Sequence, residues 1–298
     1  MTHVLTLIAP ERSVLLPKSL EAVSDALRNG GARVGAPYWL APADRVCDIP
    51  FDGIDVAAAD AIARATLADL AVDFHAQPLQ NRRKRLLIAD MDSTIVTSET
   101  LDELAGQAGL KDTISEITRR TMRGELDFSQ ALIERVAMLA DLPETALAKT
   151  LADTRLSPGA TTLVRTMRAH GAFAALVSGG FRYFTSRIAA KVGFDLDLAN
   201  DLAMEDGRLT GELSGPILDK SGKVNALETL TAERGLTPAD AVTVGDGAND
   251  LPMLLAAGLG VAYHGKPLLR EQVRAQVNHT DLTALLFFQG YKQEEFVG

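Results

Sequence analysis

One cysteine, Cys47, stands among 298 residues. A lone thiol cannot close an internal disulfide, and no cysteine cluster is present for zinc or iron–sulfur, so Cys47 reads as a small apolar filler. No apolar run approaches the roughly 18 residues that span a bilayer. Met1–Arg12 lacks the basic-then-apolar layout of a signal peptide, and a cytoplasmic, reducing location away from membranes is expected. Positive charge is also in short supply: 30 Lys and Arg face 39 Asp and Glu, a net charge of -9. Such a surface disfavours nonspecific binding to nucleic acid or anionic lipid. It leaves room for a phosphorylated small molecule, because a metal and a few local cations can outweigh the global field. The five histidines, His3, His75, His170, His264 and His279, lie near no motif and read as structural or surface residues.

What is present is a chain with 47% apolar residues, enough for a substantial core. Its length suits one large α/β domain with one or two small ones. Residues 1–80 read as a separate unit. His3–Ala9 is strand-like, Pro17–Arg28 has helical spacing and stops at Asn29-Gly30-Gly31, and Ala32–Leu40 and Arg45–Ile49 read as strands. Val56–Leu70 reads as an amphipathic helix and Val72–His75 as a last short strand. The order β-α-β-β-α-β predicts a ferredoxin-like α+β sandwich. The basic run Asn81–Arg85 reads as a solvated linker, with a nucleic-acid patch disfavoured in so acidic a chain.

From residue 81 onward the pattern changes. Leu86–Ala89 is a short apolar strand. Thr97–Ser157 reads as helical throughout, with breaks near Gly106, Gly109, Gly124 and Pro143. Ala172–Val177, Ala241–Val244 and Gly260–Tyr263 read as strands, and Phe181–Val192 and Leu251–Ala257 as helices. Strands alternating with helices predict a Rossmann-like parallel sheet with helices on both faces. Asp206-Gly207 within Met204–Leu213 predicts a hairpin turn. No internal repeat or low-complexity tract is visible.

Three segments share one layout, an apolar strand followed by polar residues at its carboxyl end, where such sheets place their active sites. They end in Asp90-Met91-Asp92-Ser93-Thr94, in Ser178-Gly179-Gly180, and in Gly245-Asp246-Gly247-Ala248-Asn249-Asp250. Brought together, Asp90, Asp92, Asp246 and Asp250 repel one another unless a cation or proton intervenes. A hard divalent ion with oxygen ligands, Mg²⁺ by preference, resolves this. A carboxylate beside it can attack phosphorus and form an aspartyl-phosphate. Ser178 and the Gly179 and Gly180 N–H groups suit phosphate oxygens at the start of a helix, and Lys223 is the candidate cation for the phosphoryl group. Each segment alone has a plainer reading as a turn, a loop or a helix cap; all three at strand ends in this order do not.

The same residues resemble the four motifs of the haloacid dehalogenase superfamily, and within it the phosphoserine phosphatase family. Asp90–Thr94 is similar to the first motif, Ser178 to the second, Lys223 to the third and Gly245–Asp250 to the fourth. The resemblance runs from about Arg85 to the end. It implies Asp90 as nucleophile and Asp92 as general acid/base, with Asp90, Asp246 and the Asp92 backbone carbonyl as metal ligands. It further implies Asp250 as a supporting carboxylate, Asn249 as a positioning group, and Ser178, Gly179 and Lys223 as phosphate-binding residues. A helical cap over about 97–157 is implied, inserted in a core of 81–96 and 158–298. In it Glu99 would pair with a substrate ammonium, Arg135 with its carboxylate, and Met122 and Phe128 would close over the apolar part. The implied reaction is hydrolysis of O-phospho-L-serine, the last step of serine biosynthesis. The order of elements in 1–80 looks like a small amino-acid-sensing domain of the ACT type, which leaves open serine binding there and a homodimer. Two other readings stay open: the same chemistry on another small phosphate ester, and an amino-acid-binding regulator.

Overall fold

The computed structural model describes residues 1–10, 13, 15, 17–42, 44–122 and 125–298, with the side chain of Met122 left out. Two sheets organise the chain. The first is antiparallel and is built from β1 (His3–Ile8), β2 (Arg33–Val34), β3 (Tyr38–Trp39), β4 (Val46–Asp52) and β5 (Asp73–Pro78), in the order β2-β4-β1-β5 with β3 also on β4. Helices α1 (Pro17–Asn29) and α2 (Val56–Thr66) pack on it around Leu5, Leu7, Ile49 and Phe51. The stretch expected as one strand over Ala32–Leu40 is two short strands flanking Gly35-Ala36-Pro37, because proline cannot donate to a ladder. Helix α2 stops at Thr66 rather than Leu70.

The second sheet holds seven strands in the order β12-β11-β10-β6-β7-β8-β9. These are β6 (Leu86–Ala89), β7 (Phe173–Phe181), β8 (Leu196–Glu205), β9 (Arg208–Ser214), β10 (Ala241–Gly245), β11 (Leu259–Tyr263) and β12 (Ala275–Val277). All neighbours are parallel except β8 and β9, which form an antiparallel hairpin. Asp206 and Gly207 turn that hairpin, both with positive φ (48° and 72°), as expected of a two-residue loop. In β6, Leu87 and Ala89 join one core cluster while Leu86 and Ile88 join another. A strand buried on both faces must be apolar throughout, and this one is.

Between β6 and β7 come α3 (Thr100–Gln107), α4 (Lys111–Met122), α5 (Phe128–Ala137), α6 (Glu144–Asp153) and α7 (Ala160–Ala169). The expected helical stretch is therefore four helices before Ser157, broken at Gly109 and at Pro143, while the break expected at Gly124 lies outside the described residues. Then follow α8 (Arg182–Val192), α9 (Lys220–Glu233), α10 (Leu251–Ala256), α11 (Pro267–Gln272) and α12 (Ala284–Phe288). Among the described residues no helix is long and apolar enough to cross a membrane.

The basic run is a solvated linker only at Asn81, Arg83 and Arg85, and is buried at Arg82 and Lys84. Arg82 is 8% and Lys84 7% exposed. Arg82 donates to Thr6 Oγ1 (2.8 Å), to the Asp48 carboxylate, and to the carbonyls of Phe287 (3.0 Å) and Phe288 (2.7 Å). Lys84 Nζ donates to the carbonyls of Asn81 and Ala239. A guanidinium with five donors satisfies several buried acceptors at once, so sequence charge was a poor guide to exposure here. Two more polar joints tie the sheets: Asp73 accepts from the N–H groups of Asn278, His279 and Thr280, and Arg274 bonds Asp60 and the Ala76 carbonyl.

Candidate active site

Strand β6 lies at the centre, and the chain proceeds from it to β7 and β8 on one side and to β10, β11 and β12 on the other. That reversal opens a crevice at the carboxyl ends of the strands. All three polar segments end there. Chain direction changes at once after β6: Asp90 caps an irregular turn over Met91–Ile95, its Oδ1 accepting from Met91 N–H, and Ser93 takes φ +52°. Asp90 and Asp92 share the crevice through this turn, not through a continuing strand. Asp92 Oδ1 accepts from the Thr100 N–H at 2.9 Å, which links the turn to the start of α3.

The lining of a cleft of about 470 Å³, its open mouth included, contains Asp90, Asp92, Glu99, Phe128, Arg135 and Ser178, and also Gly179, Gly180, Asp246 and Asn249. Lys223 and Asp250 sit behind it. Lys223, 1% exposed, places Nζ 2.8 Å from Asp90 Oδ1 and 2.6 Å from Asp250 Oδ1. Burial alone would lower the lysine's pKa; the Asp250 and Asp90 charges outweigh that and raise it. Asp250 Oδ2 accepts from the N–H groups of Asp246 and Gly247, holding the loop after β10. Met122 ends α4, and its side chain lies outside the described residues.

The electrostatics favour a cation. Carboxylate oxygens of Asp90, Asp246 and Asp250 lie within 4.8 Å of one another, all buried. Burial pushes Asp246 up to about 7, Lys266 opposing it, and pushes Asp250 up to about 6, with Asp90 adding and Lys223 opposing. Hard oxygen donors whose ionisation is this costly fit a divalent ion. Asp92 is raised well above the carboxylate range by burial and by the Glu99 and Asp90 charges. A shift in that direction favours the protonated carboxyl, the form that can give up a proton in a reaction.

The charged cap groups are held by residues that sequence reasoning missed. Arg135 Nη1 donates to Thr118 Oγ1 (2.9 Å), which donates to Asp102 Oδ1 (2.8 Å), and Arg135 Nε donates to the Ala131 carbonyl. Asp102 is an acid at a buried position of α3, beside Leu101, Leu104 and Ala105, and that placement was the available signal. Glu99 Oε1 accepts from Ser93 Oγ (2.9 Å) and meets Lys266 Nζ at 3.4 Å; Lys266 also lies 3.0 Å from Asp246 Oδ2. Gly265-Lys266-Pro267 follows β11 as a fourth polar segment at a strand's carboxyl end, so the same layout would have found it.

Residues 87–255 match the haloacid dehalogenase-like hydrolase family, and the chain belongs to it. It is therefore a hydrolase with a parallel-sheet α/β core. It is 38% identical over 285 residues to the phosphoserine phosphatase of Streptomyces coelicolor, covering 94% of this chain and 69% of that one. Two other curated phosphoserine phosphatases, from Archaeoglobus fulgidus and Mycobacterium tuberculosis, are spanned over 63% and 55% of their length. Among solved structures, a family hydrolase from Salmonella enterica serovar Typhi superposes with TM-score 0.84 at 28% identity, covering 98% of this chain and 99% of that one. A probable phosphoserine phosphatase from Vibrio cholerae gives 0.77 at 31%, over 99% and 88%. A phospho-aspartyl intermediate analogue of phosphoserine phosphatase gives 0.66 at 37%, over 69% and 99%.

Proposed function

We propose that this protein hydrolyses O-phospho-L-serine to serine and phosphate through a phosphoaspartate at Asp90. One observation carries the reading: a single cleft is lined by Asp90 and Asp92 together with Glu99 and Arg135. A zwitterionic amino acid needs one anion and one cation, and a phosphate ester needs a nucleophile and an acid. Both pairs are present.

In this reading an Asp90 carboxylate oxygen attacks phosphorus, and the bond from phosphorus to the serine oxygen breaks. Asp92, whose burial and acidic neighbours favour its protonated form, gives that oxygen its proton. Water then attacks the phosphoaspartate while Asp92 takes a proton back, which releases phosphate and restores Asp90. Ser178, Gly179 and Lys223 hold the phosphoryl oxygens, and Asn249 positions the substrate. Glu99 takes the ammonium and Arg135 the carboxylate, where a planar guanidinium binds two oxygens. Phe128 closes over the apolar part. Mg²⁺ held by Asp90, Asp246 and the Asp92 carbonyl, with Asp250 in support, would neutralise charge on the phosphoryl group.

The reading divides the chain into an ACT-like unit over 1–80 and a phosphatase domain over 81–298, with the cap at about 97–157. It places the enzyme in the cytoplasm and leaves open serine binding by the first unit and a homodimer. Equilibrium dialysis with serine and sedimentation test the last two.

The main test is phosphate release from L-phosphoserine, with and without Mg²⁺, beside phosphothreonine, phosphoethanolamine and an aryl phosphate. Mg²⁺-dependent preference for phosphoserine is expected. Turnover of the aryl ester alone would overturn the substrate and keep the chemistry.

A further inference from the structure

Between Val177 and Phe181 the pairing of β7 with β8 shifts register. Ser178, Gly179 and Gly180 fall in that gap, where the neighbouring strand no longer offers regular main-chain partners. The side chain of Asn200 takes their place. Asn200 sits opposite Phe181 on β8 and is 2% exposed. Its Nδ2 donates to the Gly179 carbonyl at 2.8 Å and reaches the Leu218 carbonyl at 3.5 Å. Its Oδ1 accepts from the Leu218 N–H at 2.6 Å. One primary amide thus stitches the Ser178–Gly180 loop to the segment that leads into α9, the helix carrying Lys223.

The consequence follows from peptide geometry. A trans peptide is planar, and its carbonyl and N–H point in opposite directions. The described residues hold no cis peptide. With the Gly179 carbonyl held by Asn200, the Gly180 N–H must point the other way. It points to the Ser178 hydroxyl, 3.0 Å away. That side is also the Asp92 side, since a Cβ on Gly180 would stand 2.8 Å from Asp92 Oδ2. Glycine is the residue whose backbone turns over most readily. A flip of this one peptide would aim a carbonyl, with its negative end, at the place reserved for an anion.

We infer that Asn200 is a positioning residue for the phosphoryl-transfer step: it locks the Gly179–Gly180 peptide so that the Gly180 N–H faces the phosphoryl oxygens, and it sets the distance from that loop to Lys223. This rests on the phosphatase reading above and deepens it.

The test uses the full chain with Asn200→Asp and Asn200→Ser. Asn200→Asp keeps the size and the acceptor for Leu218 N–H but turns the donor into an oxygen facing two carbonyls. Turning the Gly180 N–H away removes an oriented donor to the phosphoryl group, a loss that costs about 100-fold or more in kcat. The expected result is that loss with KM changed less than about threefold, and vanadate binding, read by titration calorimetry, weakened about tenfold or more. Asn200→Ser, too short to span both loops, is expected to fall between parent and Asn200→Asp in both readouts. Circular dichroism and the melting temperature check the fold of each. Should Asn200→Asp fail to fold, Asn200→Ser decides alone. Folded variants with parental kcat and vanadate affinity would overturn the inference, as would a loss confined to KM. Calorimetry does not depend on which ester is cleaved. A wrong substrate thus shows in the parent's specificity, and a wrong role for Asn200 in the vanadate titration.

Discussion

Lys223 Nζ stands 2.6 Å from Asp250 Oδ1 with both side chains out of solvent, and the same ammonium reaches Asp90 at 2.8 Å. One buried cation serves two buried carboxylates. Removing it strands both. Lys223→Met is expected to destabilise the metal-free protein by about 3–5 kcal/mol, measured by urea unfolding. Adding Asp250→Asn should recover part of the loss, and strict additivity of the two changes would show that the groups do not interact.

Asp90→Asn tests the covalent step. It keeps the shape and removes the nucleophilic charge. Turnover should fall by several orders of magnitude, on the order of what losing a nucleophile costs. Phosphate release at the parental rate would dismiss Asp90 as the attacking group.

Arg135 tests the cap. Arg135→Ala should cost roughly 2–5 kcal/mol in kcat/KM on phosphoserine and little on phosphoethanolamine, which has no carboxylate. Thr118→Val, which breaks the link from Arg135 to Asp102, should reproduce a smaller share of the same selectivity change. Equal losses on both esters would remove Arg135 from substrate recognition.

His75 governs part of the acid response. Burial, with the Arg274 and Arg82 charges, pushes it down to about 3. Its ring stacks edge-on to Phe288, and its Nδ1 has no hydrogen-bond partner among the described residues; Asp60 Oδ2 is 3.8 Å away. The unfolded chain takes up a proton below the ordinary histidine range, near 6.5, and the folded chain does not until about 3. Stability contributed by neutral His75 is thus full above that range and is lost as pH falls through it, at up to about 1.4 kcal/mol per pH unit. His75→Phe should flatten this part of the profile in urea titrations between pH 6 and 4 (roughly the span over which only the unfolded form is charged). An unchanged slope would assign the acid response to other groups.

The sheet, and the polar strand ends that share one cleft, were legible in the sequence because both are written in local terms. An apolar strand such as Leu86–Ala89 followed by acids is visible without any partner, and so is Asp206-Gly207. The supporting contacts were not legible. Thr118 and Asn200 act across 16 to 21 residues of chain, and nothing in a window of sequence announces such a partner, whereas Lys266 stood in a strand-end segment like the other three. Arg82 is the sharpest case. A run of four basic residues looks like solvent-facing charge, as Arg83 and Arg85 are, and only the fold supplies the acceptors that let Arg82 and Lys84 be buried.

That buried arginine has a thermal consequence. Arg82 donates hydrogen bonds to Thr6 and Asp48 in the first sheet and to the carbonyls of Phe287 and Phe288 in α12 at the other end of the chain. Melting of either side alone would take from a buried guanidinium half of the acceptors that satisfy it. The two sheets are therefore bound to one calorimetric transition, and heat should take the whole chain apart in a single cooperative step.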